Sequence, residues 1–156
     1  GMGDNTLRGG EGDDWLSAAP ADGETAADGR DVLDGSAGDD TLILGPHDLA
    51  TGGAGADTFV LGPGLLGPGL PEPGAGTPDG SNASDIVDFD AERDSLVVVW
   101  DDFSSSAPPE VALAPVHGAP DTVEVRVDGV TFARVAGGAG LSPGDVTLMP
   151  ASLLPP

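Results

Sequence analysis

In roughly the first sixty positions, apolar residues recur in a nine-residue frame and not in the 3.6-residue period of a helix. Leu7, Leu16, Leu33, Leu42, Ala50 and Phe59 each sit at the centre of a triplet whose flanking residues point the other way, which predicts very short strands. A strand that short buries nothing alone. Neighbouring turns must therefore stack into a parallel coil with these six side chains inside it. The outward positions differ between the two sides of the coil. One side shows Trp15, Thr41 and Thr58, then Ser17, Ile43 and Val60; the other shows Arg8, Asp34 and Thr51. The first of these faces is partly apolar and is expected to be covered by the C-terminal half, or by residues 18–25 in the case of Trp15. Arg8 and Asp34 stand one coil apart and are expected to pair.

The pattern changes after residue 61. Gly62 to Ser84 is rich in Gly and Pro, has no period, and reads as a long loop. It contains Gly62-Pro63-Gly64-Leu65-Leu66-Gly67, formally G-x-G-x-x-G, but Pro68 and Pro71 forbid the helix that a phosphate site requires. Leu96 to Trp100 predicts a buried strand. Thr122–Val127 and Val130–Val135 alternate apolar and polar residues around Asp128-Gly129, a two-residue hairpin turn. Val111–Val116 and Val146–Met149 are further strands. The fold class is therefore all-β: a coil over 1–61 with an excursion at 18–25, a loop over 62–84, and a mainly antiparallel capping region over 85–156 that blocks the open edge.

What precedes each inward residue carries the chemistry. Gly9-Gly10-Glu11-Gly12-Asp13-Asp14-Trp15-Leu16-Ser17 and Gly52-Gly53-Ala54-Gly55-Ala56-Asp57-Thr58-Phe59-Val60 share glycines, an aspartate and an apolar residue at fixed offsets. Gly35 to Ile43 repeats them with Ser36 in place of one glycine. Residues 1–8, 26–34 and 44–51 fit in part, with Asn5, Asp31 and Asp48 at the aspartate position; Pro46 disturbs the last of these turns. Glycines so placed permit positive φ and close backbone approach, so this half of each repeat is a tight turn.

Charge sharpens the picture. Of 156 residues, 27 are Asp or Glu and five are Arg with no Lys, giving a formal net charge of −22. Such a chain repels nucleic acid and anionic membranes and attracts cations. With no Cys there is no disulfide framework or thiolate site. No apolar run reaches the length of a membrane-spanning helix, and the N-terminus lacks a basic region followed by an apolar one. His47 and His117 lie in a degenerate turn and a loop, and no H-E-x-x-H, G-x-S-x-G or D-T-G occurs. Catalysis thus has only the abundance of carboxylates behind it.

The repeat G-G-x-G-x-D-x-U-x resembles the calcium-binding nonapeptide of RTX (hemolysin-type) proteins. Asp85-Ile86-Val87-Asp88-Phe89 followed by Asp94-Ser95-Leu96 resembles the stretch that closes many such rolls, notably in the C-terminal domains of secreted metalloproteases. The resemblance implies a right-handed parallel β-roll in which two nonapeptides make one coil and several calcium ions lie between stacked turns. Asp14 would then face Asp40 and Asp40 face Asp57 on the better edge, while Asn5, Asp31 and Asp48 line a weaker one. Carbonyls near Gly10, Gly12, Gly35, Gly38, Gly53 and Gly55 would complete the ligand sets, since calcium takes six to eight oxygens at flexible geometry.

Asp85, Asp88 and Asp90 read as solvated carboxylates of a capping segment, with a further cation site as the alternative. Arg93 and Val99 stand where an EF-hand loop needs Gly and Glu. The function implied is a module that folds on calcium outside the cell, part of or attached to a protein exported by bacterial type I machinery through an uncleaved C-terminal signal. The alternative is a calcium-stabilised adhesion or matrix module that binds a surface or polysaccharide, and a third reading is a small hydrolase.

Overall fold

The structure, a computed structural model, describes residues 4–17, 30–44, 48–61, 84–90, 92–100, 110–116, 118–127 and 130–150. The 18–25 excursion, most of the 62–84 loop, the turn around Pro46 and the Asp128-Gly129 turn lie outside them.

The nonapeptides form strands as short as their sequence requires. They are β1 (Thr6–Glu11), β2 (Trp15–Ser17), β3 (Val32–Ala37), β4 (Thr41–Ile43), β5 (Leu49–Thr51) and β6 (Thr58–Leu61). Successive strands alternate between two sheets, so that β1, β3 and β5 are parallel neighbours in one sheet and β2, β4 and β6 in the other. The register pairs Leu7 with Leu33 and Leu33 with Ala50, and likewise Leu16 with Leu42 and Leu42 with Phe59. The inward triplet centres therefore stack as the period demands. Leu33, Leu42, Ala50 and Phe59 are fully enclosed, Leu16 is buried, and Leu7 at the end of the stack is half-buried. Each enclosed large side chain contributes about 1.5–3 kcal/mol of burial.

Parallel pairing does not stop at residue 61. The strand β7 (Ser84–Ile86) lies beside β5, and β8 (Ser95–Trp100) lies beside β6, placing Ile86 under Ala50 and Leu96 under Phe59. These two strands make one more coil without the glycines that mark the earlier ones. Beyond it come β9 (Val111–Val116), β10 (Ala119–Val127) and β11 (Val130–Ala136), an antiparallel meander with Val127 opposite Val130 as the hairpin pattern requires. The meander joins the first sheet through a parallel β11–β7 pair. The last strand, β12 (Val146–Pro150), lies parallel to β8 and not antiparallel. The sheets therefore run β1-β3-β5-β7-β11-β10-β9 and β12-β8-β6-β4-β2.

The core between the sheets is continuous from Leu16 through Phe59 and Leu96 to Val125 and Val135. Phe89, in the turn after β7, packs on Phe59 with ring centroids 5.9 Å apart. A second cluster of Ile43, Val60, Val97 and Val99, with Met149 against it, lies on the outside of the second sheet. The C-terminal half thus meets the apolar face at Ile43 and Val60, while Trp15 at the far edge stays 61% exposed. Arg8 and Asp34 pair at 3.1 Å on the outside of the first sheet. No described helix is long and apolar enough to cross a membrane.

Candidate metal centre

The turns that join β1 to β2, β3 to β4, β5 to β6 and β7 to β8 lie on one side of the roll, and their aspartates form a ladder. Asp14 N–H donates to Asp40 Oδ1 at 2.8 Å, Asp40 N–H to Asp57 Oδ1 at 3.0 Å, and Asp57 N–H to Asp94 Oδ1 at 2.9 Å. The pairings implied for Asp14, Asp40 and Asp57 are therefore adjacent rungs. Asp94 is a fourth rung that periodicity missed. Its signal was Asp94-Ser95-Leu96, the end of the repeat without its glycines, displaced to 37 residues after Asp57 where the previous step is 17.

The other oxygen of each carboxylate behaves differently along the ladder. Asp14 Oδ2, Asp40 Oδ2 and Asp57 Oδ2 are sealed from solvent and accept no hydrogen bond. Asp94 Oδ2 accepts one from Asp90 N–H at 2.9 Å. Leaving a buried carboxylate oxygen unpaired is costly, on the order of 1–3 kcal/mol or more for a charged group, so three in a row fit a bound cation.

Local sequence explains how these oxygens come to be there. A Cβ at Gly9, Gly35 or Gly52 would strike Asp14 Oδ2, Asp40 Oδ2 or Asp57 Oδ2 respectively. The first glycine of each repeat is thus an opening for the carboxylate of that same repeat, a role distinct from turn formation. Gly35 has no positive φ. The turn itself is made by Gly10, Gly12, Gly38, Gly53 and Gly55, all with φ between 95° and 133°, and by Ser36 at 81°. In the later turns the carbonyl of the preceding turn presses against these positions: Gly12 O on Gly38, Ser36 O on Gly53, and Gly38 O on Gly55.

No three acidic or histidine side chains converge among the described residues. Carboxylates one coil apart and backbone carbonyls are the oxygens that would hold an ion here, a hard-oxygen set that suits calcium.

The opposite edge is built alike but closed differently. Asn5 N–H donates to Asp31 Oδ1 at 2.8 Å and Asp31 N–H to Asp48 Oδ1 at 2.9 Å. Asp31 and Asp48 are buried, yet among the described residues neither has a sealed, unpaired oxygen. The next coil places Ser84 where the aspartate would stand.

A second, exposed ladder runs beside the first. Asp39 N–H donates to Asp13 Oδ1 at 2.9 Å and Ala56 N–H to Asp39 Oδ1 at 2.8 Å. The sequence shows these aspartates only as variable positions. At the C-terminal end, Asp88 clamps Gly52 N–H and Gly53 N–H with its two oxygens at 2.9 and 2.7 Å. Asp90 accepts from Glu92 N–H and pairs with Arg93, and Asp85 faces Arg30 and Arg134. These three carboxylates are thereby engaged by protein donors.

Electrostatics concentrate where Asp57 and Asp94 meet. Burial pushes the Asp57 carboxyl above its ordinary value of 3.8; the Asp40 N–H pulls the other way, and the Asp94, Asp40 and Asp88 carboxylates push further up. Asp94 is raised by burial too, against the Asp57 and Asp90 N–H groups, with Asp88 and Asp90 adding repulsion. At Asp57 and Asp94 burial and the neighbouring carboxylates thus disfavour the charged form.

Comparison with known proteins agrees with the geometry. Residues 1–20, 25–46 and 47–64 match the family of the RTX calcium-binding nonapeptide repeat in four copies. Among solved structures, the chain is similar to the AlgE6R3 subunit of the Azotobacter vinelandii mannuronan C5-epimerase, at 22% identity and a TM-score of 0.59 over 94% of this chain and 78% of that one. It is similar also to the AlgE6R2 subunit of that enzyme, at 24% identity and a TM-score of 0.52 over 96% and 95%. Both likenesses show a shared fold. No curated protein matches.

Proposed function

We propose that this chain, whose first 64 residues carry RTX calcium-binding nonapeptide repeats, is a calcium-triggered folding module of an exported protein. The observation that carries the reading is the row of three sealed, unpaired carboxylate oxygens at Asp14, Asp40 and Asp57. We assign one ion to the interval between the Asp14 and Asp40 turns, one to that between Asp40 and Asp57, and a third to that between Asp57 and Asp94. Carbonyls around Gly10, Gly12, Gly35, Gly38, Gly53 and Gly55 complete these sets, and the Asn5, Asp31 and Asp48 edge binds more weakly.

Bound calcium supplies positive charge between the turns. The chain supplies the rest: glycines that admit the carboxylates, N–H groups that fix one oxygen of each, and a core that closes once repulsion is relieved. Without the ion, the −22 chain is expanded by self-repulsion and glycine entropy. Modules of this kind bind calcium with Kd of roughly 10⁻⁴ to 10⁻³ M. The chain therefore stays loose in a low-calcium cytoplasm and folds outside, which suits export in an unfolded state by type I machinery. The buried carboxylates serve the stack, and we read the module as non-catalytic.

Circular dichroism of the calcium-stripped chain, titrated with calcium and separately with magnesium, tests the proposal. A calcium-selective gain of β-structure is expected. Equal response to both ions, or none, would sink it.

A second reading, binding to an acidic polysaccharide, is favoured by the distribution of arginine. Four of the five arginines, Arg8, Arg30, Arg126 and Arg134, gather around the first sheet, paired with Asp34, Asp85 and Glu124. The structural neighbours are subunits of a mannuronan C5-epimerase. Retention of the calcium-loaded chain on such a polymer, lost in Arg8→Ala/Arg134→Ala and with chelator, separates this reading from a bare folding module.

A further inference from the structure

We infer that Arg30 decides where calcium enters this roll: its guanidinium is a built-in cation that spans the edge of Asn5, Asp31 and Asp48. It keeps the interval between Asp31 and Asp48 from filling at calcium concentrations that load the edge of Asp14, Asp40 and Asp57. The inference rests on the calcium reading above and names the residue that makes the two edges unequal.

Two intervals of the roll form a matched pair. Asp40 N–H donates to Asp57 Oδ1 at 3.0 Å on one edge, and Asp31 N–H donates to Asp48 Oδ1 at 2.9 Å on the other, each across a step of 17 residues. All four aspartates are buried. Each interval therefore offers two carboxylates one coil apart. Yet Asp40 and Asp57 each carry a sealed, unpaired oxygen, and among the described residues Asp31 and Asp48 carry none.

The residue that precedes the first aspartate of each interval differs in charge. Before Asp40 it is Asp39, whose N–H donates to Asp13 Oδ1 at 2.9 Å. Before Asp31 it is Arg30, whose N–H donates to Asp4 Oδ1, also at 2.9 Å. The two backbone positions are thus equivalent and their side chains opposite in sign. Asp39 Oδ1 accepts the Ala56 N–H of the next coil. Arg30 reaches further, with Nη2 3.6 Å from Asp85 Oδ2. Asp85 stands in β7, and β5 lies between β3 and β7, with Leu49 beside Asp85. A side chain that leaves the turn before β3 and ends at β7 therefore crosses the turn before β5, the one that holds Asp48. Arg134 Nη1, 3.5 Å from Asp85 Oδ1, secures the far end of this bridge.

An exposed ion pair adds little to stability, so the consequence of Arg30 lies in its field. Its positive charge beside the Asp31–Asp48 interval offsets the carboxylates there and repels a divalent ion, whereas Asp39 at the equivalent position attracts one. The rival cause is in the turns themselves, where Ala26 and Pro46 take the places of glycines. Substitution of Arg30 separates the two.

Calcium per folded chain, counted by native mass spectrometry through a calcium titration, with ion positions from anomalous scattering, tests the inference. In the unaltered chain the intervals of Asp14, Asp40 and Asp57 are expected to load first. Arg30→Gln removes the charge and Arg30→Asp reproduces Asp39. Each is expected to place an ion between Asp31 and Asp48 at about tenfold lower calcium than the unaltered chain requires, the order of effect of a unit charge about 6 Å from a divalent ion in water. Arg30→Lys, which keeps the charge, and Arg126→Gln, an equal loss of charge in the meander, are expected to load as the unaltered chain does. Filling of the Asp31–Asp48 interval together with the others in the unaltered chain overturns the inference. So does unchanged loading in both Arg30→Gln and Arg30→Asp, which assigns the difference to the missing glycines and leaves the calcium reading standing. Absence of calcium from the Asp14, Asp40 and Asp57 edge of the unaltered chain overturns both.

Discussion

Asp40 is the rung on which two intervals depend, and Asp40→Asn isolates that dependence. The side chain is 1% exposed, its Oδ1 holds the Asp14 N–H at 2.8 Å, and its Oδ2 is sealed against Gly35. Asparagine keeps the volume and the acceptor on Oδ1 but replaces the unpaired oxygen with an amide and removes the charge. Both neighbouring intervals, toward Asp14 and toward Asp57, lose a carboxylate ligand. Binding to the folded state alone stabilises it by about 2.7 kcal/mol per site at an ion concentration 100 times the Kd. Losing two such sites costs about 5 kcal/mol of calcium-dependent stability, comparable with the whole margin of a small domain.

In the absence of calcium the same change relieves repulsion with Asp57, so the calcium-free chain is no less stable than before. Asp48→Asn, on the opposite edge, is the matched comparison. Calorimetric titration should show two fewer ions per chain for Asp40→Asn and at most one fewer for Asp48→Asn, with the melting temperature in calcium falling in the same order. Equal losses in the two variants would refute the assignment of unequal edges.

Further outcomes follow from individual positions. Gly35→Ala forces a Cβ onto Asp40 Oδ2 and the Gly52 carbonyl; a loss of about 2–3 kcal/mol is expected by denaturant titration in calcium, with weakened binding at the Asp40 turn. Ser36→Gly relieves the one described non-glycine residue with positive φ and should raise stability by about 1 kcal/mol, read from the midpoint of the same titration. The raised carboxyls of Asp57 and Asp94 set a pH dependence of definite sign. A carboxyl whose folded value lies above its unfolded value destabilises the calcium-free fold above that raised value and releases the penalty as pH falls toward 3.8. Acidification from neutrality should therefore stabilise the calcium-free fold at these groups and, by protonating ligands, raise the calcium concentration needed for half-saturation; titrations at stepped pH check both signs.

The sequence made the coil legible because one apolar residue and one aspartate recur at fixed spacing, and a parallel roll stacks equal spacings. Leu33, Leu42, Ala50 and Phe59 stack for that reason, as do Asp14, Asp40 and Asp57. Register carried across the 26-residue step from Asp14 to Asp40, because the frame resumes in phase after the excursion. It did not carry across the 37 residues to Asp94, where the glycines are absent, Asp88 accepts the Gly52 and Gly53 N–H groups and Asp90 N–H occupies Asp94 Oδ2.

The parallel placement of β12 was not legible either. Alternation identifies a strand but says nothing of which neighbour it takes, and the hairpin signal of β10 and β11 suggested one direction for the whole region. The division of labour among the glycines was hidden for a different reason. A glycine needed for positive φ and one needed to admit a carboxylate are the same letter, and only the position of Asp40 Oδ2 over Gly35 separates them.

The most direct test of the central claim is crystallography of the calcium-loaded chain, with anomalous scattering used to locate the ions. Ions in line along one side of the roll, between Asp14 and Asp40, between Asp40 and Asp57, and between Asp57 and Asp94, each within about 2.3–2.6 Å of a carboxylate oxygen, are the expected result. Calcium confined to the Asn5, Asp31 and Asp48 edge, or protein hydrogen-bond donors filling the sealed oxygens in place of an ion, would contradict it.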